Sequence, residues 1–239
     1  MHLNKRGSHV GFILSFVIFV LFILFLYTTI QPAIKIQKEK TLFIDYLKDV
    51  LVENFTVNLT TMTIKINETV NPNKDCISLK DAKGSLINET SLLIKDENNS
   101  KLSYEFQGKD LEILTGLNFS GFLKIFSSMG IQNESSPPII GCEPLFNVTP
   151  SIIRVDEYIT QKKIMDLKNA YESDYEAVKE FFNIPPGTEF GFSFILANGT
   201  KIETVNGDLS TSVYVQEYSI KYLDLEGNIK FGFLNIKVW

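Results

Sequence analysis

Residues Val10–Ile30 (VGFILSFVIFVLFILFLYTTI) run 21 positions without a charged side chain. At about 1.5 Å per residue such a segment forms a helix of about 32 Å, enough to cross a hydrocarbon core of about 30 Å. A buried helix of a globular protein would show a polar face somewhere in that length. A removable secretory signal would have a shorter apolar run and a small-residue cleavage site, and Tyr27-Thr28-Thr29-Ile30-Gln31-Pro32 follows no such pattern. The sequence therefore predicts a transmembrane helix over residues 10–31, with the lipid bilayer as partner. A short cytoplasmic leader, residues 1–9, precedes it.

Flanking charge does not orient this span, because Lys5 and Arg6 stand before it and Lys35, Lys38 and Lys40 after it. Glycosylation sequons do. Asn-x-Ser/Thr occurs at Asn54, Asn58, Asn67, Asn88, Asn98, Asn118, Asn133, Asn147 and Asn198, half of the 18 asparagines and about three times the chance frequency. Such sites mark accessible surface in exported proteins, although Pro150 just after the Asn147 sequon hinders that one. The expectation is a single-pass cell-membrane protein with its N-terminus cytoplasmic and its remainder extracytoplasmic. The two cysteines agree: Cys76 and Cys142 read as one disulfide in an oxidising compartment, closing a loop worth about 4 kcal/mol. Two separate buried thiols are the alternative. A redox motif is not, since C-x-x-C spacing is missing.

Composition narrows the chemistry. The chain of 239 residues carries a net charge of −5 and a pI near 5.2, which argues against a nucleic-acid partner. Its only histidines are His2 and His9, so the region beyond the span has no imidazole for a nucleophile pair or a His-ligated metal. Asn71, Asn73 and Asp75 mimic the first ligands of an EF-hand loop. Cys76 then stands where that loop needs Gly, and Ala82 where it needs the bidentate Glu, so a turn is the better reading. Asn206-Gly207-Asp208 reads as a hairpin turn before it reads as a calcium site. Asp156-Glu157 and Asp174 with Glu176 read as solvated helix faces. No residue is assigned a catalytic, cofactor-binding or metal-binding role and no cofactor is implied; the protein reads as not an enzyme. A carboxylate-based hydrolase is the less favoured alternative.

The predicted fold class is a single N-terminal transmembrane helix plus an α+β, β-rich exported region of antiparallel sheets. Residues 32–53 read as a helical stalk, kinked near Pro32, with Phe43, Tyr46, Leu47, Val50 and Leu51 at helical spacing. Residues 54–150 read as a β-rich, sequon-dense domain: FTVNLTTMTIKI, SLLIK, KLSYEFQ, DLEILT and GFLKIF alternate with turn clusters. An irregular connection at about 135–144 is pinned by Cys142. Residues 151–239 read as an α+β domain, a helix from about Glu157 to Phe182 packed on a four-strand meander. In its first strand Phe190, Phe192 and Phe194 form a core stripe rather than a binding platform.

One resemblance bears on the anchor. Lys5-Arg6-Gly7-Ser8, leading straight into the apolar run, resembles the class III signal of type IV prepilins and archaeal pilin-like proteins. That family implies cleavage between Gly7 and Ser8 by a leader peptidase, release of the apolar helix on the mature chain, and packing against copies of itself or other pilin-like subunits. Phe12, Phe16, Phe19, Phe22 and Phe25 would line one side of that helix. Phe12 stands where bacterial major pilins typically carry glutamate, and the exported part is large, so the resemblance implies a minor or pilin-like surface protein. Many sequons, few arginines and much lysine, isoleucine and asparagine suit an archaeal source, with a eukaryotic type II membrane glycoprotein as the alternative. The function expected is structural, in assembly or adhesion. The alternative is a signal-anchored surface glycoprotein that binds a partner or carbohydrate without assembling.

Overall fold

The computed structural model describes residues 8–66, 74–87, 91–116, 119, 121–132, 138–146, 148–204 and 213–239. Helix α1 (Ser8–Phe55) is 48 residues long and runs through Pro32; at about 1.5 Å per residue it measures about 72 Å. It is the one helix among the described residues long and apolar enough to cross a membrane, and its most apolar window is wholly unburied. Just past that window two hydroxyls are satisfied within the helix: Thr28 Oγ1 donates to the Phe25 carbonyl at 2.9 Å, and Thr29 Oγ1 to Phe25 and Leu26 at 3.0 and 2.9 Å.

The character of α1 changes at Ile44. Ile44, Leu47, Leu51 and Phe55 step by three and four, so they share one face, and all are at most 3% exposed. They belong to a core cluster with Ile164, Leu167 and Tyr171 from a second helix and Phe190, Phe192, Phe194, Tyr222, Leu234 and Ile236 from strands. This corrects the stalk expected over 32–53. From Ile44 onward the helix is part of the head's core.

Strand β1 (Thr56–Ile66) follows α1 with no loop between them. Thr56 Oγ1 donates to the Val52 carbonyl at 2.7 Å, closing the last turn as the chain becomes extended. The remaining elements are β2 (Cys76–Leu79), the short turn α2 (Ala82–Ser85), β3 (Leu92–Lys95), β4 (Lys101–Leu102), β5 (Tyr104–Gln107), β6 (Asp110–Leu114), β7 (Gly121–Ser127), β8 (Glu143–Leu145), β9 (Pro150–Thr160), α3 (Gln161–Ser173), α4 (Tyr175–Phe181), β10 (Phe190–Ile195), β11 (Lys201–Glu203), β12 (Tyr214–Leu223) and β13 (Ile229–Val238). Nine strands form one sheet in the order β11-β10-β13-β12-β9-β1-β7-β3-β4, and four form another, β5-β6-β2-β8. Pairing is antiparallel except for β9 with β12 and β2 with β8, so both sheets are mixed.

Three differences from expectation have physical causes. The segment read as the start of a helix at Glu157 is the end of β9, and the helix begins at Gln161, where the Thr160 side chain caps Lys163 N–H. It then breaks at Asp174, whose carboxylate caps the next helix through Ala177 N–H at 3.0 Å. Secondly, the last four strands do not run as a consecutive meander. β13 lies between β10 and β12, so β11 is an edge. Thirdly, the large sheet takes strands from both sides of residue 150: β1 pairs along one edge with β7 and along the other with β9.

Strand alternation turns Leu59 to the opposite side of β1 from Met62 and Ile64. Met62, Ile64 and Ile66 join Ile77, Leu79, Leu111 and Ile113 of the small sheet in a second core, and Leu59 joins Leu93, Ile131 and Leu223 in a third. Gly130 lies so close over this side of the sheet that a Cβ there would come within 2.6 Å of Thr160 and 2.8 Å of Val57.

If α1 is a core element, Leu51→Ala or Phe55→Ala should lower the head's unfolding free energy by about 3–5 kcal/mol in detergent, measured by urea titration. Phe16→Ala, in the unburied apolar segment, should leave that midpoint unchanged.

Candidate functional site

One polar cluster lies at the junction where α1 leaves its exposed apolar segment and enters the head. Three polar contacts fix it. Tyr46 Oη donates to the Phe182 carbonyl at 3.0 Å, and Tyr218 Oη on β12 donates to Asp45 at 2.9 Å. Lys48 Nζ lies 5.7 Å from the Tyr218 ring centre. Burial and the Asp45 carboxylate push the Tyr218 hydroxyl up to about 12, so it stays a donor at ordinary pH. Lys35 and Lys38 are exposed on the two turns below.

Next to the junction is an open cleft of about 720 Å³ lined by Asp49, Glu53, Asn58, Met129, Glu157 and Lys163. Asp49 and Glu53 are one helical turn apart on α1, Glu157 comes from β9 and Lys163 from the first turn of α3. Of the carboxylates singled out in the sequence, only Glu157 enters this cleft. Asp156 is paired with Arg154 at 2.5 Å, Asp174 is a helix cap, and Glu176 is 3.8 Å from Lys179. No group of three or more His, Cys, Asp or Glu side chains among the described residues could hold a metal ion. Asp75 accepts backbone N–H groups of Thr115 and Gly116 through its carbonyl, as a turn residue does. Asn71, Asn73 and Asn206-Gly207-Asp208 lie outside the described residues.

Cys76 and Cys142 are joined as a disulfide. It sits at one end of the parallel β2–β8 pair, where Ile77 faces Glu143. Beside it Glu112 is only 7% exposed and directly across from Glu105. Gln107 Nε2 donates to Glu112 at 2.9 Å. Burial raises the Glu112 carboxyl above its ordinary value; Lys80 opposes this, and Glu105 and Asp110 add to it.

Four sequon asparagines are described. Asn58 is exposed in the cleft, Asn98 and Asn198 are exposed at turns, and Asn54 is half-buried on the last turn of α1. Asn198 Oδ1 accepts from Thr200 N–H at 3.0 Å, inside its own sequon. Asn67, Asn88, Asn118, Asn133 and Asn147 lie outside the described residues, as do Lys5, Arg6 and Gly7; Ser8 is the first residue of α1. Sequence reading missed the cleft. Asp49 and Glu53 carry the right spacing for a shared helix face, but nothing local points to Glu157 as their neighbour. No family model matches the sequence, and no curated protein or solved structure is detectably similar to it.

Replacing Cys76 and Cys142 together by Ser should lower stability by about 4 kcal/mol, read from denaturant unfolding. Glu112→Gln should raise the melting temperature at pH 7. Because the folded carboxyl is raised, its ionisation destabilises the fold as pH climbs above the unfolded value. The advantage of the variant should therefore shrink as the pH is lowered and vanish below about pH 4.

Proposed function

We propose that this chain is a membrane-anchored, N-glycosylated, extracytoplasmic surface protein of pilin-like kind, of archaeal origin, whose anchor helix serves structural assembly. The observation that carries the reading is the division of α1. Its Val10–Ile30 segment exposes apolar side chains all round, among them Phe12 at 74%, Phe16 at 60% and Phe25 at 63%, while Ile44–Phe55 is built into the head. A helix of this kind holds a head in a fixed relation to the bilayer. It also offers the same apolar surface to lipid or to other copies of itself. The Lys5-Arg6-Gly7-Ser8 motif supports processing between Gly7 and Ser8, and the exposed Asn58, Asn98 and Asn198 support an outward head.

A second reading, a surface glycoprotein that binds a partner without assembling, is favoured by one patch. Phe231 and Phe233 on β13 are 67% and 45% exposed, opposite Lys221 and Ser219 of β12. They point away from the core side that holds Leu234 and Ile236.

Protein isolated from its native membrane should begin at Ser8 and carry glycan mass, read by N-terminal sequencing and intact mass. Gly7→Val should abolish that processing. A native chain that keeps Met1–Gly7 and occurs in no filament or assembly complex would sink the pilin-like reading and leave the second.

A further inference from the structure

The β12–β13 turn, Asp224–Asn228, does not project into solvent. It lies on β3, which three intervening strands separate from β12 in the sheet order. Gly227 presses on Leu93 so closely that a Cβ there would sit 2.2 Å from its methyl carbon, and Gly227 adopts φ +71°. Asp224 organises the turn by accepting from Glu226 N–H at 3.0 Å and Asn228 N–H at 2.8 Å.

Beneath this turn is Lys95, only 6% exposed. Its Nζ donates to Asn228 Oδ1 at 3.1 Å and lies 5.9 Å from the Phe126 ring centre. The far side of the same amide is held by carboxylates: Asn228 Nδ2 is 3.2 Å from Glu226 Oε2 and 3.5 Å from Asp224 Oδ2. The amide's orientation follows from its neighbours, since an amine offers protons and carboxylates only accept them. Lys95 is also flanked across the sheet by two more lysines, Lys101 on β4 and Lys124 on β7. Three amines in one cross-strand row disfavour charge on the middle one. Burial lowers the Lys95 ammonium below the ordinary lysine value; Asp224 and Glu226 oppose this, and Lys124 and Lys101 reinforce it.

We propose that Lys95 and Asn228 are a modification site at which the chain forms an intramolecular isopeptide bond with loss of ammonia, Glu226 carrying the proton. The Lys95 amine, once deprotonated, attacks Asn228 Cγ with its lone pair. The Nζ–Cγ bond forms as a proton leaves Nζ to water, and Glu226, whose Oε2 is 3.2 Å from Nδ2, delivers a proton taken from water to Nδ2. The Cγ–Nδ2 bond then breaks and ammonia leaves. Amine plus amide give a secondary amide plus ammonia, with no oxidant or co-reactant. Asp224 is the poorer proton carrier, because Lys230 at 2.7 Å and backbone donors hold it ionised. The reaction also removes the central cation from the lysine row. It is independent of whether the chain enters filaments.

The test is a mass-spectrometric peptide map of the full-length chain from its native membrane, deglycosylated, reduced and cut with trypsin. The expected product is one branched species in which the segment 84–101, uncut at Lys95, is joined to 222–230. It should weigh about 17 Da less than the two peptides together. Lys95→Arg should abolish the species. Glu226→Gln should reduce it at least tenfold while the Cys76–Cys142 disulfide still forms. Recovery of wild-type material only as separate 84–95 and 222–230 peptides of full mass would overturn the link, whether or not the variants fold. A Glu226→Gln chain as fully linked as the wild type would overturn the proton role given to Glu226.

Discussion

Burial of one face of α1 is the contact on which the rest of the structure depends. Ile44, Leu47, Leu51 and Phe55 fill the space over β10, β12 and β13 that α3 alone leaves open, and Phe55 meets Phe192 with ring centres 5.7 Å apart. Removing the helix would expose the aromatic stripe of β10 as well as the helix face itself, a loss of apolar burial large against the marginal stability of a domain. The same helix therefore has to satisfy two solvents in succession. Up to Ile30 it is apolar on every side, and from Ile44 it is amphipathic. Between them lies a stretch with Lys35, Lys38, Glu39 and Lys40 that suits neither a bilayer nor a core.

Much of this architecture was legible in local patterns. The uncharged 21-residue run, the alternation in β1, β5–β7 and β10–β13, and the aromatic stripe at Phe190, Phe192 and Phe194 are short-range signals that survive folding. Strand β9 was not legible, for a physical reason. Ser151–Val155 is exposed on both faces, since β12 meets β9 only at Ile159 and Thr160, so no alternation marks it. Its last residues also merge with the helical spacing of α3, which drew the expected helix start back to Glu157. Strands β2 and β8 are four and three residues long, too short to show a period.

What joins distant parts was hidden for another reason. The order β11-β10-β13-β12 depends on long-range pairing, which local spacing does not encode. Lys95 and Asn228 are 133 positions apart, and each alone is an unremarkable strand or turn residue. Only the placement of Gly227 on Leu93 brings them together. The carboxylates of the cleft are a similar case: two come from one helix turn, and the third arrives from a strand that sequence reading had not recognised.

The direct passage from Phe55 into Thr56 has a mechanical consequence. With no loop between helix and strand, tension on the anchor passes straight into β1, which is hydrogen-bonded along both edges, to β7 over Thr60–Ile66 and to β9 over Thr56–Ile64. A pull along that axis loads those two ladders in shear, so many bonds must fail together rather than unzip one by one. Resistance of that kind is a matter of rate more than of equilibrium stability. The head is thus tethered through an interior strand, the place where a tug on the anchor is hardest to convert into unravelling.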